Sequence, residues 1–188
     1  LTDGKKAKLT FSTLGGRMTR PLVPNLSFIS EWAYQIGSQA DNSIRAYGGY
    51  ANLAYTVCPQ KKCVITGGIY ILSGDDPETA NIEGWNPVFS RWPKWSELYI
   101  YSHTAENIGG ARKVAYWTNT ISPNVKLVID LHSRVNLTLW GHHLKAFYPT
   151  ASGEGKTRGN EIQMWVKVKI TNKLSGHFLY DIFMPGDF

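Results

Sequence analysis

Between residues 124 and 170 the apolar side chains fall on alternate positions, and this period constrains the fold more tightly than any other feature of the 188-residue chain. Val125, Leu127, Ile129 and Leu131 share one parity, while Lys126, Asp130 and His132 share the other. After a polar break at residues 133–136 the pattern resumes over 136–147 and stops at a Gly-rich loop, 149–160. It then returns where Ile162, Met164, Val166, Val168 and Ile170 alternate with Gln163, Trp165, Lys167, Lys169 and Thr171. A period of two is that of a β-strand with one apolar and one wet face. A soluble sandwich and a membrane barrel both produce it. Two details favour the barrel. The runs approach the length of about 9–11 residues that a tilted spanning strand needs, against about 5–6 in soluble sheets. Short turns also alternate with longer loops, as on the two rims of a barrel.

The same reading places strands over residues 8–19, 26–36, 43–57, 64–73 and 176–184. A Pro-marked turn over 20–25 is expected to end the first, and the loop 37–42 the second. A long irregular stretch, 74–112, exceeds an ordinary connection, and its aromatics argue against disorder. Within it residues 96–102 form a candidate short strand. Residues 114–120 are extended as well, either heading the strand that continues past Pro123 or forming a separate one. The count is therefore about eight or ten strands in a single domain over 1–188.

Composition narrows the class. Hydrophobic residues make up 43%, mean hydropathy is -0.25, and no run approaches the ~18 apolar residues of a membrane helix. A barrel is compatible with all three, because half of each strand faces a polar lumen. The 13% aromatic content, with 7 Trp and 10 Tyr, suits rings at two membrane–water interfaces or a sugar-binding sandwich. Lys and Arg exceed Asp and Glu by 20 to 14, but they are scattered along the strands, which argues against nucleic acid as a partner. The chain opens at Leu1 without the charged and apolar segments of a secretory signal, so such a signal is expected to have been removed or to lie outside this sequence. Cys58 and Cys63 flank a short turn and are expected as a disulfide of an oxidising compartment; two free thiols are the alternative.

The segments Ser73-Gly-Asp-Asp-Pro77, Phe89-Ser-Arg-Trp-Pro-Lys-Trp-Ser-Glu-Leu-Tyr-Ile-Tyr101, Trp117-Thr-Asn119, Arg158-Gly-Asn-Glu161 and Gly176-His-Phe-Leu-Tyr180 through Pro185-Gly-Asp-Phe188 resemble, in content and order, the C-terminal part of the alginate-export family of outer-membrane β-barrel porins. The resemblance implies an all-β, antiparallel up-and-down transmembrane barrel of about 18 strands, of which this chain is the C-terminal portion, with one closing strand missing after Phe188. It further implies location in the bacterial outer membrane and contact with lipid, lipopolysaccharide or detergent. The remaining strands of the same barrel become partners, and the basic lumen passes an anionic polysaccharide without a cofactor.

On that reading the polar parity lines the channel, which nominates Glu31, Gln35, Asn52, Lys126, Asp130, Gln163, Lys167 and Lys169 for contact with an anionic saccharide. The same residues also suit the solvated face of any antiparallel sheet. Trp92, Trp95, Tyr99 and Tyr101, with Arg158, are candidates for a loop constriction. Asp75, Asp76 and Glu78 form a weak Ca²⁺ candidate, with a loop-solubilising charge group as the favoured reading. His142 and His143, with Ser133 and Asp130 near them in sequence, raise a membrane-barrel hydrolase; adjacent strand histidines point to opposite faces, however, and neither sits in a nucleophile motif. The alternatives to a porin are thus a soluble carbohydrate-binding β-sandwich and, less favoured, that hydrolase.

Overall fold

A computed structural model describes residues 8–87, 106–108, 111–113, 118–149 and 155–188. Ten strands are present among them: β1 (Leu9–Val23), β2 (Leu26–Gln39), β3 (Asn42–Cys58), β4 (Cys63–Leu72), β5 (Glu106–Ile108), β6 (Ala111–Lys113), β7 (Thr120–His132), β8 (Val135–Lys145), β9 (Thr157–Lys169) and β10 (Ser175–Pro185). Eight form one antiparallel sheet in the order β1-β2-β3-β4-β7-β8-β9-β10, and β5 pairs with β6 in a separate hairpin. Each main strand is hydrogen-bonded to its neighbours in sequence, an up-and-down meander. The sheet is open: β1 and β10 are its two edges.

The strands expected over 8–19, 26–36, 43–57, 64–73, 124–170 and 176–184 are present, and several run longer than their sequences suggest. Pro21 does not end β1, which continues to Val23 before a turn with Asn25 at φ 65°. An edge strand tolerates a proline because one side of its ladder is unpaired. Residues 37–39 belong to β2 and residue 42 to β3, leaving only Ala40 and Asp41 as the turn. Pro123 lies inside β7, paired with Ile69 of β4. On the β8 side the pairing is interrupted between Ile121↔Lys145 and Asn124↔His142 without a change of register, as expected where an amide donor is missing. The candidate strand at 96–102 lies outside the described residues, as does the start of the 114–120 segment; β7 begins at Thr120, after Asn119 at φ 52°.

The register makes the two faces continuous from strand to strand, since directly opposed residues share a face. One row reads Leu26, Tyr55, Ile65, Leu127, Leu139, Met164, Tyr180. The next reads Phe28, Leu53, Gly67, Val125, Gly141, Ile162, Ile182. No Asp, Glu, Lys or Arg lies on this face within residues 26–36, 47–55, 65–71, 121–129, 135–141, 162–170 and 176–184. Trp32 spreads over Gly49 here, where a Cβ would come within 2.7 Å of its ring.

This apolar belt crosses the rows obliquely. Along the row from Leu26 to Met164, the apolar run of β2 (26–36) has its midpoint five residues toward the long-loop end, while that of β9 (162–170) has its midpoint two residues toward the short-turn end. The belt therefore shifts by seven residues over the five strand-to-strand steps between β2 and β9. With about 3.3 Å per residue and about 4.8 Å between strands, a level belt corresponds to strands inclined by about 44°.

Burial is the reverse of that in a water-soluble domain. Among the described residues four apolar side chains are buried, Ile44, Ala46, Leu144 and Ala146, against eleven polar ones. Val125 is 60% exposed, Ile36 60% and Phe178 59%, whereas Gln35 and Glu161 are fully buried. Among the described residues no second sheet or helix covers the apolar face.

The two-residue turn between β2 and β3 carries local strain, because Ala40 takes φ 53°, a left-handed conformation that costs an alanine about 1 kcal/mol relative to glycine. Ala40→Gly is expected to raise the urea midpoint of unfolding without altering the slope, a gain of about 0.5–1 kcal/mol.

Candidate functional site

All eight residues nominated for the lumen lie on one face of the sheet, opposite the apolar belt. Glu31 aligns with Tyr50, Tyr70 and Ser122; Asn52 with Gly68 and Asn124; Lys126 with Trp140 and Gln163; Asp130 with Asn136 and Lys167; Gln35 with Ala46; and Lys169, two residues from Lys167, completes the set. The register adds charged residues that sequence reading had passed over: Arg17 opposite Glu31, Glu161 opposite His142, and Asp181 opposite Gln163.

These side chains form a connected wall. Tyr50 donates its hydroxyl to Glu31 Oε2 at 3.2 Å, and its ring lies 5.6 Å from Tyr70. Tyr70 in turn lies 6.2 Å from Trp140 and 6.3 Å from His142. Trp140 donates Nε1–H to Asn124 Oδ1 at 3.0 Å and carries the Lys126 ammonium 4.6 Å above its ring. Ser122 Oγ sits 3.0 Å from His142 Nδ1. Rings bonded at their polar edges and flanked by amides and charges offer flat apolar faces beside hydrogen-bonding groups, the combination that a sugar ring requires. The hydrolase group is not brought together: Asp130 bonds Asn136 and Lys62, Ser133 lies beside His132 in an exposed turn, and His143 faces the opposite side, bonded to Asn160 at 2.8 Å.

At the long-loop end two residues staple the strand termini. Ser73 donates its amide to Tyr47 O, and its carbonyl accepts from the Trp85 and Asn119 amides and from Thr118 Oγ1. Asn119, at φ 52°, accepts the Phe147 and Tyr148 amides on Oδ1 and donates Nδ2–H to Tyr148 O. Residues 73–87 then fold back along the free end of β3, where Ile82 bonds both Ser43 and Arg45. From there the chain turns onto the polar face. Gln35 donates to Asn86 O at 2.6 Å and accepts the Asn86 amide at 3.0 Å, and Trp85 packs over Gly48, where a Cβ would meet its ring at 2.9 Å.

Several expectations are corrected here. Gln35 holds a loop backbone instead of facing open solvent. Asp75, Asp76 and Glu78 do not converge on a cation. Asp75 accepts the Glu83 amide, and Asp76 accepts the Glu78 amide and the Tyr148 hydroxyl. Among the described residues no cluster of three or more potential metal ligands occurs. Burial, then the Asp76 carboxylate, raises the Tyr148 phenol above its ordinary pKa, which keeps it a donor to Asp76. Arg158 is buried in the rim: it donates to Asn119 O at 3.2 Å and stacks 4.0 Å over the Phe188 ring. Trp92, Trp95, Tyr99 and Tyr101 lie outside the described residues. Cys58 and Cys63 are register partners but both are free thiols, and Cys58 Sγ–H is directed to Gln60 Oε1 at 3.3 Å.

At the opposite, short-turn end a groove of about 620 Å³ opens between the β7–β8 and β9–β10 turns. Lys62, Arg134, Lys167, Lys169 and Lys173 line it, with Asp130 as the single carboxylate. Asp130 is already engaged, 3.5 Å from Lys62 Nζ and 2.8 Å from Asn136 Nδ2. Sequence reading nominated Asp130, Lys167 and Lys169 but not Lys62, Arg134 or Lys173, because the cluster is assembled from separate turns and no basic run marks it. The chain matches no known protein-family model and no curated protein.

The Gln35 clamp predicts a local effect. Gln35→Leu leaves the Asn86 amide and carbonyl without those partners, so hydrogen exchange over residues 83–87 is expected to accelerate on the order of tenfold or more while exchange within β7–β9 stays unchanged. Equal acceleration in both regions would show that Gln35 supports the sheet as a whole.

Proposed function

We propose that this chain is a wall section of a bacterial outer-membrane β-barrel channel of the alginate-export type, through which anionic sugars or oligosaccharides diffuse down their gradient. The observation that carries this reading is the inversion of burial: an unbroken, uncharged apolar belt on one face and a connected polar and aromatic wall on the other. Water gives no reason to leave Val125, Leu127, Leu139 and Phe178 uncovered across seven strands, whereas hydrocarbon does. The oblique course of the belt supports the same reading, since its inclination of about 44° falls at the tilt of membrane barrels, about 35–45°. Strands of 10 to 17 residues reach or exceed the roughly 9–11 residues that a spanning strand needs at such a tilt. Unpaired edges at β1 and β10 cannot lie in lipid, so further strands of the same barrel complete the wall.

In this reading Tyr50, Tyr70 and Trp140 form a surface on which sugar rings slide, with Glu31, Asn52, Lys126 and Gln163 exchanging hydrogen bonds with hydroxyls. The segment at residues 83–87 narrows the passage from the long-loop side. Movement needs no cofactor and no covalent step. The soluble sandwich requires a second layer on the belt, and the described residues contain none.

The protein reconstituted in planar bilayers is expected to give stepwise conductance that soluble polyuronate reduces. Val125→Arg, at the belt's centre, should cost about 2–4 kcal/mol in urea-dependent folding into vesicles, while Lys126→Leu on the other face should cost far less. Monodispersity in detergent-free buffer, with equal tolerance of both substitutions, would contradict the proposal.

A further inference from the structure

We infer that the protein selects for multivalent anions at its short-turn mouth, in the groove lined by Lys62, Arg134, Lys167, Lys169 and Lys173, and not along its wall; this rests on the channel reading. The charge distribution carries the inference. Away from the groove the polar face holds Arg17 and Lys126 against Glu31, Glu161 and Asp181, so the described wall is formally one charge negative. The groove holds five cationic side chains against Asp130, four charges positive. A basic lumen is therefore not a property of the whole wall.

The groove's groups are placed to hold an incoming anion. Asp130 accepts from Asn136 and pairs with Lys62, and is thereby neutralised. Arg134 reaches toward the β9–β10 turn, with Nη1 3.5 Å from Ile170 O. The Lys167 ammonium lies 5.2 Å from the Trp165 ring, which fixes its stem on the polar face. His132 and His177 also line the groove. A space of about 620 Å³ exceeds the needs of a single small anion. Four of the five cations are lysines, hydrated point charges on flexible stems. Such a group captures a multivalent carboxylate or phosphate ester weakly and releases it, as conduction demands. The carboxylates of an oligouronate and the phosphates of a phosphorylated solute share this chemistry.

Two measurements test the inference. In planar bilayers under a KCl gradient, Lys167→Glu/Lys169→Glu/Lys173→Glu should lower the anion-to-cation permeability ratio by on the order of threefold or more, with Lys173→Glu alone moving it part of the way. Lys145→Glu, at the opposite rim, should leave the ratio in place. In titration calorimetry of the detergent-solubilised protein at low salt, inorganic pyrophosphate and trigalacturonate should each bind, at least tenfold more weakly to the triple variant. Binding of only one probe would keep the site and assign its source. An unchanged ratio in a conducting triple variant, or no binding of either probe to the wild-type protein, would overturn the inference while leaving the channel intact. Absence of conductance from the wild-type protein would instead remove the channel reading, and the calorimetry would still decide whether the groove binds anions.

Discussion

Everything in this fold depends on the missing cover over its apolar face. In a water-soluble sheet protein the strands are held in place because their greasy face is sealed by another layer, and the hydrophobic effect then does most of the stabilising. Among the described residues none covers the rows through Leu127 and Val125, while Gln35, Ser122, Glu161 and Gln163 are buried on the other side. Such a sheet is stable only where the surroundings replace the missing layer. Hydrocarbon meets that requirement and also accounts for the exclusion of charge from the belt and its oblique course.

From this constraint the two ends of the sheet acquire different tasks. The long-loop end is tied by hydrogen bonds that reach far along the chain, from Ser73 to Tyr47 and Asn119, and from Gln35 to Asn86. These bonds bend a loop over the polar face. The short-turn end is made of tight connections, and its groups are charged and flexible. In the proposed channel a solute arriving there would meet cations first and the aromatic, nearly neutral wall afterwards. Attraction and passage would thus be separated along the path, which avoids trapping an anion deep within a uniformly basic tube.

Much of this was legible in the amino-acid order. Period two in residues 124–170 identified β7, β8 and β9, and assigned Lys126, Asp130, Gln163 and Lys167 to a common face, because strand geometry leaves no choice once parity is fixed. The extent of the strands was harder to read. Pro21 and Pro123 looked like boundaries, yet an edge position and a local break in the ladder absorb them. The contacts that organise the site were hidden for a different reason. Gln35 finds its partner 51 residues away, and Asn119 joins the ends of β8 and β9, so no local pattern could announce either. The cationic groove gathers Lys62, Arg134 and Lys173 from three turns that the sequence keeps apart. Cys58 and Cys63, conversely, suggested a bond by proximity that the bulge beside Cys58 and the contact to Gln60 leave unmade.

The most direct measurement is the environment of each side chain along β7 in a lipid bilayer. Spin labels placed one at a time at residues 124–129, with Cys58 and Cys63 replaced by Ser, report collision with oxygen dissolved in hydrocarbon and with a water-soluble nickel chelate. Oxygen accessibility should peak at Val125, Leu127 and Ile129, and the nickel reagent should reach only Asn124, Lys126 and Val128. If both reagents fail to alternate, or if the odd positions are shielded from oxygen as well as from nickel, protein and not lipid covers the belt.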